Sequence, residues 1–121
     1  MEATLDLKLP YKKLCGFISQ TGADNPSLTI LENEFGAASS TRITGGVYNY
    51  TPDKAGQFPV NRTVIKPVVQ ELGANQNITL ERGGDNFLQF KSFDGGMSAS
   101  DGVFSNNYFE VLVYDEILET I

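Results

Sequence analysis

The sequence predicts an all-β domain, a single β-sandwich of jelly-roll or immunoglobulin-like type with about seven to nine short strands. Three observations predict it. Short runs of alternating, β-branched and aromatic residues recur along the chain. Clusters of Gly, Asn, Asp and Pro separate them at the spacing of turns. No stretch sustains a long helical period. The 121 residues fit one domain, 1–121, which needs neither a disulfide nor a metal to close its core.

The elements follow in order. Leu5, Leu7 and Leu9 alternate with Thr4, Asp6 and Lys8, a strand with one buried face, and Pro10 breaks it. Residues 11–20 form a second strand that ends in the turn-rich segment 21–26. A third strand spans 27–34, and Gly36 with the small residues 37–40 makes a loop. Residues 41–50 give a strand, a Gly45-Gly46 turn or bulge, and a further strand. A loop follows over 51–58. Within 60–72, Pro67 and the β-branched residues argue against a helix, so a strand is expected over about 61–66. Residues 77–81 and 87–93 are strands joined by Arg82-Gly83-Gly84-Asp85. The small, polar stretch 97–107 reads as loop. Residues 108–114 are the most strand-like run of the chain, and 115–121 is a candidate docking tail with Ile117, Leu118 and Ile121.

Composition narrows the chemistry. There is no histidine, which removes the commonest general base and metal ligand near neutral pH. The formal charge is −6, so a phosphate backbone or an anionic membrane is a disfavoured partner. Cys15 is the only cysteine and sits in an apolar run, which points to a buried, inert thiol. No signal peptide or membrane-spanning run is expected.

No G-x-S-x-G elbow accompanies the serines. The carboxylates Asp85, Asp94, Asp101, Glu110, Asp115 and Glu116 would have to meet in pairs to hydrolyse a glycoside, and solvated loop charges explain them more simply. Asp94 and Asp101, with the backbone of loop 94–102, are a possible calcium site, although the EF-hand pattern is missing. The glycine pairs fit turns better than phosphate loops. The sequons at Asn49, Asn61 and Asn77 matter only in a secretory route. Tyr11, Tyr48, Tyr50, Tyr108 and Tyr114 could form a sugar-stacking platform, but strand tyrosines mostly pack. The expectation is therefore no catalytic, cofactor-binding or metal-binding residue, and no cofactor.

One pattern goes beyond composition. It runs through Tyr11-Lys12-Lys13, Ser19-Gln20-Thr21-Gly22, Asn25-Pro26, Leu31-Glu32-Asn33, Gly36, Thr44-Gly45-Gly46-Val47-Tyr48 and Phe58-Pro59-Val60-Asn61-Arg62-Thr63. In these pieces, about half of the chain, it resembles a group of small β-rich proteins of tailed phages. An extra glycine at Gly46 and the stretch 66–75 depart from that pattern. The resemblance implies a non-enzymatic structural protein of a virion, made in the host cytoplasm. An auxiliary, or decoration, protein on the capsid head is the leading expectation. It further implies other virion proteins as partners, namely the major capsid protein or tail and fibre proteins, and allows a homo-oligomer. A carbohydrate-binding or receptor-binding module of a fibre or tail is the alternative.

Overall fold

The computed structural model describes residues 10–66, 76–96 and 98–115. It contains β1 (Tyr11–Ser19), β2 (Ser27–Asn33), β3 (Ala38–Thr44), β4 (Val47–Pro52), β5 (Thr63–Lys66), β6 (Asn77–Arg82), β7 (Leu88–Phe93) and β8 (Asn107–Tyr114). Two antiparallel four-stranded sheets result, sheet A in the order β2-β1-β8-β5 and sheet B in the order β3-β4-β7-β6. This is the expected β-sandwich. The neighbour relations β3-β4-β7-β6 and β5-β8-β1 match the A-B-E-D and C-F-G orders of an immunoglobulin sandwich whose chain is opened between F and G. Here β2 adds an outer strand beyond β1.

Most expected strands are present with ends shifted by one or two residues. The segment 37–40, expected as loop, is different. Ala38, Ser39 and Ser40 pair with Pro52, Thr51 and Tyr50 and lengthen the β3–β4 hairpin. Their small side chains carry little strand propensity, and pairing with β4 overrides it. The expected strand around Leu5–Leu9, the segment 67–75 and the tail beyond Asp115 lie outside the described residues.

Alternation decides the core. β1 sends Leu14 and Ile18 inward, β8 sends Phe109, Val111 and Val113, β4 sends Tyr48 and Tyr50, and β7 sends Leu88 and Phe90. The rings interlock edge to face. Phe90 lies 5.1 Å from Phe109 and 5.8 Å from Phe104, and Tyr48 lies 5.9 Å from Phe104. Such pairs add about 0.5–1.5 kcal/mol beyond the area they bury. Phe35 and Phe58, from two different loops, pack at 5.3 Å as a further part of the same core.

Two glycines are required by the backbone. Between β1 and β2 the register slips, with Cys15 opposite Glu32 but Gly16 opposite Ile30, so Leu31 is the extra residue of a bulge. A Cβ on Gly16 would stand 2.2 Å from the Thr29 carbonyl oxygen. Gly46, at φ +75°, turns the β3–β4 hairpin, and a Cβ there would stand 2.4 Å from the Ser100 nitrogen. The close approach brings Ser100 against the hairpin turn, where the Ser92 amide of β7 donates to the Gly46 carbonyl at 2.9 Å and the Ser100 amide donates to the Ser92 carbonyl at 2.9 Å.

Candidate functional site

Two clusters of polar side chains stand out. The first lies where the β3–β4 hairpin meets loop 98–104. Asp101 accepts from Arg42 Nε at 3.1–3.2 Å and from Arg42 Nη2 at 2.7 Å, from the Tyr48 hydroxyl at 2.6 Å and from the Gly46 amide at 3.1 Å. The guanidinium and the tyrosine hydroxyl hold the Asp101 carboxyl well below the ordinary carboxylate range. Burial, reinforced by the hydrogen bond to Asp101, pushes Tyr48 up to about 12. Asp101 therefore stays ionised and Tyr48 stays neutral at physiological pH. The arrangement stabilises one charge state of each group.

Gln20, only 4% exposed, completes this end of the molecule. Its Nε2 donates to the carbonyls of Gly22 at 2.8 Å and Asp24 at 3.0 Å, and its Oε1 accepts from the Gly102 amide at 2.6 Å. The loop after β1 and the loop before β8 are thereby tied together.

The second cluster crosses the outer face of sheet A. Glu32 on β2, Cys15 on β1, Glu110 on β8 and Lys66 on β5 stand in one cross-strand row. Lys13, two residues before Cys15 on the same face, reaches Glu32 at 3.7 Å and Glu110 at 3.6 Å. Lys66 Nζ lies 2.5 Å from Glu110 Oε2, and the Tyr108 hydroxyl donates to Glu110 Oε1 at 2.8 Å. Lys66 and Tyr108, helped by the charge of Lys13, hold the Glu110 carboxyl below its ordinary value. The charges alternate across all four strands as Glu32, Lys13, Glu110, Lys66. Tyr11 with Tyr114 and Phe17 with Tyr108 form aromatic pairs at 5.4 and 5.6 Å on the same face.

The other sequence candidates are dispersed. Cys15 is 3% exposed, a buried free thiol as expected, but it belongs to the outer face of sheet A and not to the core between the sheets. Asp94 accepts from the Gly96 and Ser98 amides at 2.8 and 3.1 Å, so it closes its own turn, while Asp101 is held by Arg42. These two carboxylates of the calcium candidate thus already have structural partners. Among the described residues no group of three or more His, Cys, Asp or Glu side chains converges. Asp85 pairs with Arg82 and Glu110 with two lysines, and Glu116 lies outside the described residues. Asp115 lines a cleft of about 200 Å³ with Lys12, Gln57, Arg62 and Tyr114. That volume is below the roughly 300–1,000 Å³ of ordinary small-molecule pockets. The five-tyrosine platform does not form, because Tyr48 and Tyr50 are buried in the core at 0% and 4% exposure. Only Tyr11, Tyr108 and Tyr114 remain on an outer face.

Sequence reasoning missed both polar clusters. Arg42 and Asp101 lie 59 residues apart, and Gln20 and Gly102 lie 82 apart, with no local motif joining them. The ladder on sheet A becomes visible only once the strand order is known. Compared with known proteins, the chain matches no family model, no curated protein and no solved structure.

Proposed function

We propose that this chain is a non-enzymatic structural protein of a phage virion, an auxiliary protein that decorates the capsid head. The observation that supports this reading best is how the ionised side chains are used. Asp101 and Glu110, whose carboxyls depart from ordinary titration, are each closed by a cation and a tyrosine from the surrounding structure. Groups held in this way fasten strands and loops. A reacting acid or base needs a protonation state that can change within reach of a substrate. The family resemblance in the N-terminal half points the same way.

The working parts in this reading are surfaces and strand edges. β2 is exposed along most of its length, with Ile30 and Leu31 open at 38% and 58%. Strand addition at such an edge is a common mode of protein recognition. The test is incorporation into particles. Virions assembled with a chain truncated after residue 114 are purified on a density gradient and probed for it, beside thermal melts of the free protein. The expected result is reduced incorporation with a nearly unchanged melt. Undiminished incorporation would remove the tail from the docking role, and no incorporation of the intact chain would remove the virion reading itself.

A further inference from the structure

We infer that copies of this chain associate head to tail through the two edges of sheet A, β2 of one copy pairing with β5 of the next. The charge ladder points to this arrangement. Its two ends are unlike: Glu32 at the β2 edge has a side chain 56% exposed, and Lys66 at the β5 edge has one 55% exposed. Among the described residues, each end has a charged neighbour on its inner side only. A second copy set beside the first in the same orientation brings Lys66 against the next Glu32, and the alternation Glu, Lys, Glu, Lys continues without a break.

The strand directions agree with that placement. Every pair in sheet A is antiparallel, so β2 and β5, three strands apart, run in opposite directions. Adding a copy by continuation of the sheet makes β5 and the incoming β2 antiparallel as well. Glu32, Cys15, Glu110 and Lys66 lie in register, so Lys66 and the incoming Glu32 meet as a direct cross-strand pair on one face. Pairs of that kind favour association, and like charges in the same position oppose it.

The edges themselves are suited to it. Natural sheets guard their edges with lysine, proline or inward-pointing charge. β2, with the sequence SLTILEN, has no lysine or proline and leaves Ile30 and Leu31 open. β5 leaves Val64 45% exposed, and its one lysine is turned toward Glu110. The partner is a second copy because the exposed charges at the two edges, Glu32 and Lys66, are of opposite sign. The contact is heterologous, so it builds a ring where the rotation closes and a filament where it does not.

This inference stands on sheet A and goes beyond the virion reading. Its test uses the purified full-length chain alone, so its outcome is independent of particle composition. Sedimentation velocity is run over a concentration series at low and high salt, on the wild type and on charge variants. The wild type is expected to associate at low salt and to dissociate as salt rises. E32Q and K66Q, with near-ultraviolet circular dichroism as the check that each is folded, are expected to weaken association by about 1.5-fold to 5-fold. The reversals E32K and K66E are expected to weaken it further. Cysteine variants E32C and K66C are expected to cross-link when mixed and not singly. A wild type that stays monomeric at low salt and high concentration would overturn the inference. So would neutral variants with unchanged association, or E32C cross-linking to itself.

Discussion

Asp101→Asn is the most informative substitution for the fold. It keeps the side-chain size and removes the charge that Arg42, Tyr48 and the Gly46 amide all address. Hydrogen bonds to a charged group contribute about 1.5–3 kcal/mol, and breaking a fully buried ion pair costs about 3–5 kcal/mol. Here the side chains are 28% and 21% exposed, so water can relieve part of the loss. A fall of about 2–3 kcal/mol is expected, from weaker bonds to Arg42 and from an amide whose nitrogen end cannot accept. Urea unfolding should show it directly. With a slope of about 1.3 kcal/mol per molar, the midpoint should fall by about 2 M at an unchanged slope. The pairing has a second signature. R42Q should cost a similar amount, and the double variant should cost clearly less than the sum, because the two residues share one interaction. A midpoint within about 0.4 M of the wild type, or strict additivity, would refute the reasoning.

Three further outcomes follow from the same geometry. Gly16→Ala places a Cβ against the Thr29 carbonyl, so it should destabilise by about 1–3 kcal/mol and loosen β2 first, seen as faster amide exchange across residues 27–33. Cys15 at 3% exposure should react with a thiol reagent at least about a hundredfold more slowly in the native protein than in urea; comparable rates would contradict its burial. Stability should also fall in acid. Asp101 and Glu110 are both held below their ordinary values, so the unfolded chain takes up protons first as the pH drops. Their contribution is complete above the ordinary carboxylate range of about 4, and it is lost as the pH falls through that range towards the folded-state values. Urea midpoints measured between pH 7 and pH 3 should decline for the wild type and decline less for D101N.

The sequence carried the fold further than the sites. Strand 88–93 was legible because a half-buried sheet imposes period two on its sequence, and 108–114 because its nearly continuous β-branched and aromatic run suits a strand buried on both faces. Turns were legible where glycine permits positive φ, as at Gly46. Ala38–Ser40 was not legible, because its pairing depends on a hairpin partner and not on its own residues. The choice of face for Tyr48 and Tyr50 was equally hidden. Alternation puts both on one side of β4, and only the assembled sandwich says that this side is the core. The ladder of Glu32, Lys13, Glu110 and Lys66 joins four separate strands of the chain, so no local spacing announces it. Long-range ion pairs are products of topology, and strand order was the piece of topology that alternation leaves open.

The proposed role of the chain as a stoichiometric building block of a virion is tested most directly by quantitative mass spectrometry of gradient-purified virions. The account predicts many copies per particle, at a fixed ratio to the major shell protein across independent preparations. Absence from the particles, or trace amounts that vary from one preparation to the next, would contradict it.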